Sequence, residues 1–245
     1  MPNVAVFWAI ILPGARKIPW VVHWHSDVLA SKYNIGLRWF YALYRPFERL
    51  ILRRASAIIA TSPPYLEASA PLRSYRAKCH VVALGLNPAN LSMPPTAPVR
   101  RTGQPLRVLA VGRLTYYKGF EYLIRACADS ENIVIHLVGD GDQKTNLKDL
   151  VNELKLDSQV TFHGHLPPAE LSAQLNACDC LCLPSIERTE AFGMVLLEAM
   201  SFGKPTAISN VPGSGMGWVV DDEITLRATR LAGPAGAPAI SDQLP

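Results

Sequence analysis

Charge is scarce in this 245-residue sequence: charged side chains make up 18% and the net charge is only +4. So mild an excess is too weak to imply nucleic acid without a clustered patch, and no nucleic-acid partner is expected. Long apolar runs are also missing. Nothing approaches the roughly 18 consecutive apolar residues of a membrane-spanning helix. The opening VAVFWAIIL has no basic residue before it and Pro13 just after it. A secretory leader carries a positive start and a small-residue cleavage site, so this stretch is not expected to be one. Cysteines number five. An odd set in a chain of this size points to a reducing compartment and a cytoplasmic location. Finally, LRVLAV (106–111) is followed by GRLTYYKG and not by G-x-G-x-x-G, which speaks against a dinucleotide-dependent dehydrogenase.

What the chain does have is apolar side chains, 49% of the total, set in short runs between longer helical patterns. PWVVHW (19–24), SAIIA (56–60) and HVVAL (80–84) read as strands. So do LRVLAV (106–111), IVIHLV (133–138), QVTFH (159–163), CLCLP (180–184) and PTAIS (205–209). Helical patterns fall near 118–129, 143–155, 168–177 and 193–202. Continuous apolar strands alternating with helices imply an α/β fold, its parallel sheets covered on both faces. The stretch 87–105 contains Pro88, Pro94, Pro95, Pro98 and Pro105 and reads as a linker. It separates a first domain, 1–86, with only three strands, from a second, 106–220, that is nearly a full doubly wound unit. Residues 221–245, rich in Ala, Gly and Pro, read as an irregular tail.

Several residues invite a chemical reading. In NACDCLCLPS, alternation puts Cys178, Cys180 and Cys182 on one strand face; a metal site is conceivable, but small apolar fillers in a buried strand are favoured. Asp140-Gly141-Asp142 spells D-x-D, yet it follows a strand end and is expected to cap the next helix and not to bind metal. After LRVLAV, Gly112 permits a tight exit from the strand, and Arg113 and Lys118 flank the turn into the next helix. Two cations beyond the carboxyl end of a strand suit a diphosphate; the alternative is a solvated basic loop.

EAFGMVLLEA (190–199) sets two carboxylates around an apolar helix. The helix is expected to start near Phe192, so the amides of Gly193, Met194 and Val195 lack intrahelical acceptors and attract an anion. Glu198 lies four residues after Met194 on the same face. There it can accept hydrogen bonds from a ribose whose phosphates sit on those amides, with Glu190 facing a sugar beyond. The bland alternative, complementing the helix dipole, gains about 0.3–1 kcal/mol, less than the cost of burying an unpaired carboxylate. His25 is either a core histidine at a strand end or a site residue.

EAFGMVLLEAMSFGKP resembles the E-x₇-E signature of the retaining glycosyltransferases of family 4, and VGRLTYYKG is similar to the same family's diphosphate-binding segment. TSPPYLEAS, VALGLNP, FHGHLPPAEL and LPSIERTEAFG stand in the family's order, so that the resemblance covers about Pro19 to Val220. It implies the GT-B fold, a pair of Rossmann-like domains with the first incomplete. It also implies transfer of a sugar from a nucleotide-diphosphate sugar to an acceptor hydroxyl, in cell-surface polysaccharide or glycolipid synthesis, with no metal or other cofactor. By position, Arg113 and Lys118 would hold the donor diphosphate, Glu198 the ribose and Glu190 the transferred sugar. Gly164 and His165 would border the base, and His25 would contact the sugar near its reacting carbon, with Asp27 a weaker companion. Two glutamates alone would also suit a glycoside hydrolase, in which a phosphate cradle would be idle.

Where the family pattern is missing, before Pro19 and beyond GSGMGWVV, the resemblance implies a copy truncated at both ends. Its alternative function is then an inactive fragment retaining only nucleotide or partner binding. The acceptor implied is a saccharide or a lipid-linked saccharide. In IGLRWFYALYRPFERLILRRA, Arg38, Arg45, Arg49 and Arg53 share a helical face that either rests peripherally on an anionic membrane, the inner face of the plasma membrane, or is simply solvated. Pro46 is expected to interrupt that helix.

Overall fold

The computed structural model describes residues 10, 12–27, 35–87, 103–220 and 227–228. The first sheet is parallel, with strands β1 (Val21–Trp24), β2 (Ala57–Ala60) and β3 (Cys79–Val81) in spatial order β1-β2-β3. Helix α1 (Ile35–Arg54) returns the chain from β1 to β2, and α2 (Pro63–Ala68) follows β2. Leu52, Ala55, Ile58, Ala60 and Leu72 form the core of this part. Pro46 was expected to break α1 but sits inside it. The residue is exposed, so the carbonyl that its missing N–H leaves unbonded can turn to water. Ser62 caps α2, its hydroxyl accepting from the Tyr65 amide, as a serine before two prolines suggests.

The second sheet runs β6-β5-β4-β7-β8-β9, built from β4 (Leu106–Val111), β5 (Ile133–Val138), β6 (Val160–Gly164), β7 (Cys180–Leu183), β8 (Thr206–Ser209) and β9 (Arg227–Ala228). All its pairings are parallel. Helices α3 (Phe120–Cys127), α4 (Lys144–Glu153), α5 (Pro168–Ala177), α6 (Met194–Ser201) and α7 (Met216–Val219) complete it. Two apolar layers sandwich the sheet. Phe120, Ile124, Leu147 and Val151 pack over Ile135 and Leu137 on one side; Leu175, Leu196 and Met216 pack over Leu109 and Leu181 on the other.

Three expectations change in detail. Cys178 does not share a face with Cys180 and Cys182. It caps α5 ahead of the strand and packs with Leu175 and Leu181, while Cys182 belongs to the opposite layer. All five cysteines are free thiols, and burial pushes Cys180 and Cys182 up to about 12. Most of the linker and of the tail lies outside the described residues, but Arg227–Ala228, where no strand was expected, pairs with β8 as a sixth strand. Asp140 is not the helix cap. Gln143 occupies that position, while Asp140 accepts from the Gly141 amide at 2.8 Å and pairs with Lys144 at 2.7 Å.

The two halves touch along the segments 62–69, 188–191 and 213–216. A Cβ on Gly213 would overlap that of Ala68, and one on Gly215 would overlap Ser62. Glycine at both positions lets the halves approach this closely. Among the described residues, no helix is long and apolar enough to cross a membrane.

Candidate active site

In the second sheet the winding reverses between β4 and β7, the neighbouring central strands. The space beyond the carboxyl ends of such a pair is where ligands bind in open α/β sheets. The loop after β4 begins at Gly112. A side chain there would press on Cε and Nζ of Lys118 at 3.1 Å, so the glycine lets Lys118 lie flat across the strand end. A 3₁₀ turn over Tyr116–Lys118 leads to Gly119, whose φ of 67° places it in the left-handed region. A Cβ at Gly119 would also collide with the Pro184 carbonyl, so the loops after β4 and β7 are in direct contact.

Polar bonds lace these loops further. The Ile186 amide donates to the Tyr117 carbonyl at 2.8 Å, and the Tyr116 hydroxyl donates to Glu187 Oε2 at 2.8 Å. At the centre Lys118 Nζ is paired with Glu190 Oε2, which also accepts from Ser185 Oγ at 3.4 Å. Both partners are largely buried, 12% and 13% exposed. Arg113 is exposed. Burial chiefly, and then the charge of Glu190, raise the Tyr117 hydroxyl pKa, and Arg113 opposes the rise. Tyr117 thus lies within the fields of both Arg113 and Glu190.

Helix α6 begins later than its sequence suggests, at Met194, with Gly193 as a left-handed cap (φ 82°). Phe192 lies outside the helix, buried with its ring centroid 6.3 Å from that of Trp218. Only glycine fits this cap: a Cβ on Gly193 would come within 2.8 Å of Leu196 and 3.0 Å of Leu183. The first-turn amides of Met194 and Val195 still lack intrahelical acceptors. One turn on, Glu198 is half-buried, and burial raises its carboxyl above the ordinary value. It has no salt-bridge partner among the described residues. Gly164 ends β6 with φ 69°, its carbonyl accepting from the Gly139 amide at 2.7 Å, and His165 beside it is exposed. Gly112, Lys118, Glu190, Gly193 and Met194 are therefore gathered at the reversal point, with Gly164 and His165 at the end of β6, two strands from β4.

His25 stands at the carboxyl end of β1 in the first sheet. Its ring lies 4.1 Å from that of His23, and partial burial followed by His23 pushes its imidazole below the ordinary value. That favours the neutral ring at neutral pH. Among the described residues, no hydrogen bond or ion pair joins His25 to Glu190 or Lys118. The tie between the halves runs through Asp27, which is paired with Arg188. Sequence reasoning gave Asp27 a minor place and passed over Arg188. The available signal was an arginine inside the strand-to-helix loop SIERTEAF, next to the carboxylate already singled out.

Residues 97–225 match the family model described as glycosyl transferases group 1, and residues 2–85 match the glycosyl transferase 4-like domain. The chain belongs to the group 1 glycosyl transferases. Among relatives in this family, the D-rhamnosyltransferase WbpZ of Pseudomonas aeruginosa is 33% identical over 211 residues, covering 85% of this chain and 53% of WbpZ. The O-antigen chain mannosyltransferase C of Escherichia coli is 30% identical over 215 residues, covering 87% of this chain and 55% of the relative. The chain thus spans about half the length of the curated relatives it matches. The crystal structure of Anabaena Alr3699/HepE in complex with UDP-glucose is similar, with a TM-score of 0.68 and 25% identity over 89% of this chain and 59% of that one. The two parallel sheets are accordingly the Rossmann-like halves of a GT-B glycosyltransferase architecture.

Proposed function

We propose that this group 1 glycosyl transferase moves a sugar, with retention of anomeric configuration, from a nucleotide-diphosphate donor to an acceptor hydroxyl. The observation carrying this reading is the pairing of Lys118 with Glu190 beside the α6 amino terminus, at the reversal point of the second sheet. Lys118 and the exposed Arg113 receive the diphosphate, one as a point charge and the other as a planar fork. The amides of Gly193, Met194 and Val195 add uncharged donors, and Phe192 fixes the turn that presents them. Glu198, which has no salt-bridge partner among the described residues, accepts from the ribose hydroxyls. Gly164 and His165 border the base.

Glu190 accepts from hydroxyls of the transferred sugar, and neutral His25 faces the reacting carbon from the first domain. The bond from that carbon to the diphosphate oxygen breaks while a bond to the acceptor oxygen forms on the same face. The departing phosphate oxygen takes the acceptor's proton, and Arg113 and Lys118 stabilise its growing charge. No metal is required, because these cations meet the diphosphate themselves.

The acceptor class we infer is a saccharide, free or lipid-linked, of a cell-surface polysaccharide. Similarity to an O-antigen chain mannosyltransferase supports it. Contact with an anionic membrane rests on α1, where exposed Arg45, Arg49 and Arg53 accompany exposed Leu43, Phe47 and Leu50. Salt-sensitive flotation with anionic vesicles is expected, and its absence removes that contact.

Calorimetric titration with UDP, GDP and ADP tests the donor site. One of them is expected to bind, and Arg113→Ala and Glu198→Ala to weaken it. If none of the three binds, the donor-site reading fails.

A further inference from the structure

A buried ion pair joins the two halves of the molecule outside the donor contacts just described. Asp27, just past β1, is only 5% exposed. Its Oδ1 accepts from Trp24 Nε1 at 2.8 Å and from Ser69 Oγ at 2.7 Å, and its Oδ2 is paired with Arg188 Nη2. Tyr65 closes the nest. Its hydroxyl oxygen accepts from the Asp27 amide, and its ring centroid lies 5.4 Å from the Arg188 guanidinium carbon. A carboxylate held by several donors cannot swing away, so the arginine it receives is held as firmly.

Arg188 belongs to the loop after β7, in the other half. Its second terminal nitrogen, Nη1, is buried without a hydrogen-bond partner among the described residues. Among the described residues, the side-chain hydrogen bond of this guanidinium goes to Asp27 in the first domain. Near the pair, the close approaches of Gly213 to Ala68 and of Gly215 to Ser62 keep the halves in contact. The sequence positions are also telling: Asp27 lies two residues beyond His25, and Arg188 two residues before Glu190. One bond therefore fixes the segments that carry the two groups facing the sugar from opposite sides.

We propose that Asp27 and Arg188 form an interdomain clamp that sets His25 against Glu190, making Arg188 a positioning residue for sugar transfer and not a ligand of the nucleotide. The catalytic part of this proposal rests on the donor-site reading above; the clamp itself does not. Cutting the clamp leaves the diphosphate contacts of the second domain in place and loosens the grip on the sugar.

The test uses the full chain with Arg188→Met and Arg188→Lys. Hydrogen exchange is expected to accelerate at least tenfold at the Tyr65, Leu66 and Ser69 amides in Arg188→Met, across the domain boundary, with β5 unchanged. Arg188→Lys should restore part of the protection. In calorimetry, the Kd for the bound nucleoside diphosphate should stay within twofold. The matching nucleotide sugar should lose at least fivefold of its affinity relative to the diphosphate, and kcat should fall more than KM rises. Unchanged exchange at residues 62–69 overturns the clamp, as does acceleration that spreads equally to β5. Equal weakening of diphosphate and nucleotide sugar overturns the positioning role. A wild-type chain that binds no nucleoside diphosphate counts against the donor site, and exchange alone then decides the clamp.

Discussion

Glu190→Gln should tighten the binding of a bare nucleoside diphosphate while crippling transfer. Glu190 holds Lys118, the cation proposed above to receive the diphosphate, so on that reading ligand and carboxylate compete for one ammonium group. Two unit charges about 4 Å apart at an effective dielectric near 20 attract by roughly 4 kcal/mol. Removing two groups only 12% and 13% exposed from water offsets most of that. A net share of about 1 kcal/mol remains for the ligand to overcome, and tenfold in affinity corresponds to about 1.4 kcal/mol. Titration calorimetry on Glu190→Gln should therefore give a diphosphate Kd some three- to tenfold lower than wild type. Lys118→Met should raise it by at least an order of magnitude, because the charge itself is gone. The nucleotide sugar should show the opposite sign, with turnover reduced by one to two orders of magnitude as a charge-assisted hydrogen bond of about 1.5–3 kcal/mol is lost. A diphosphate Kd for Glu190→Gln equal to or above the wild-type value would refute the competition.

Other perturbations have equally definite signs. Gly119→Ala should destabilise the fold by about 2 kcal/mol or more, seen as a lower denaturant midpoint at constant slope, since it combines a left-handed φ with a collision at the Pro184 carbonyl. Burial raises the Glu198 carboxyl pKa in the folded chain, so its contribution to stability is present below the ordinary carboxylate value and lost as pH rises through the raised one. Glu198→Gln should therefore remove that part of the fall in Tm while weakening nucleotide binding, and an unaltered Tm–pH profile would argue against it. A disulfide reagent at neutral pH should label partly buried Cys79 well before Cys182, whose thiol burial holds at about 12. Peptide mapping that finds Cys182 labelled first in the folded chain would contradict this packing.

Most strand and helix positions in the second domain were legible because the central strands are largely apolar runs and the longer helices keep a 3.6-residue period. IVIHLV and PAELSAQLNA became β5 and α5 without adjustment. Boundaries failed where tertiary contacts override periodicity. Phe192 fits the helical pattern, but it packs against Trp218 and the left-handed turn at Gly193 separates it from α6. Pro46 was misread because propensity says nothing of which side of α1 meets water. At the site, Arg113, Lys118, Glu190 and Glu198 stood out as residues whose spacing around a turn or helix start is local. Arg188 and Asp27 did not, because their significance comes from each other across 161 positions, a separation that local pattern does not register.

The stitching of the loops after β4 and β7 also bears on how the molecule comes into being. These strands are hydrogen-bonded neighbours, yet β5, β6 and the helices around them are made in between. Parallel pairing over such an interval is slow, since a long loop must close before any contact rewards it. On a ribosome, Lys118 emerges early and waits for the amino terminus of α6, so the donor site proposed above is assembled only once the sheet's middle has closed. On the donor-site reading proposed above, ligand capture is thus a readout of completed folding, and nucleotide sugars would trap finished molecules in preference to half-made ones.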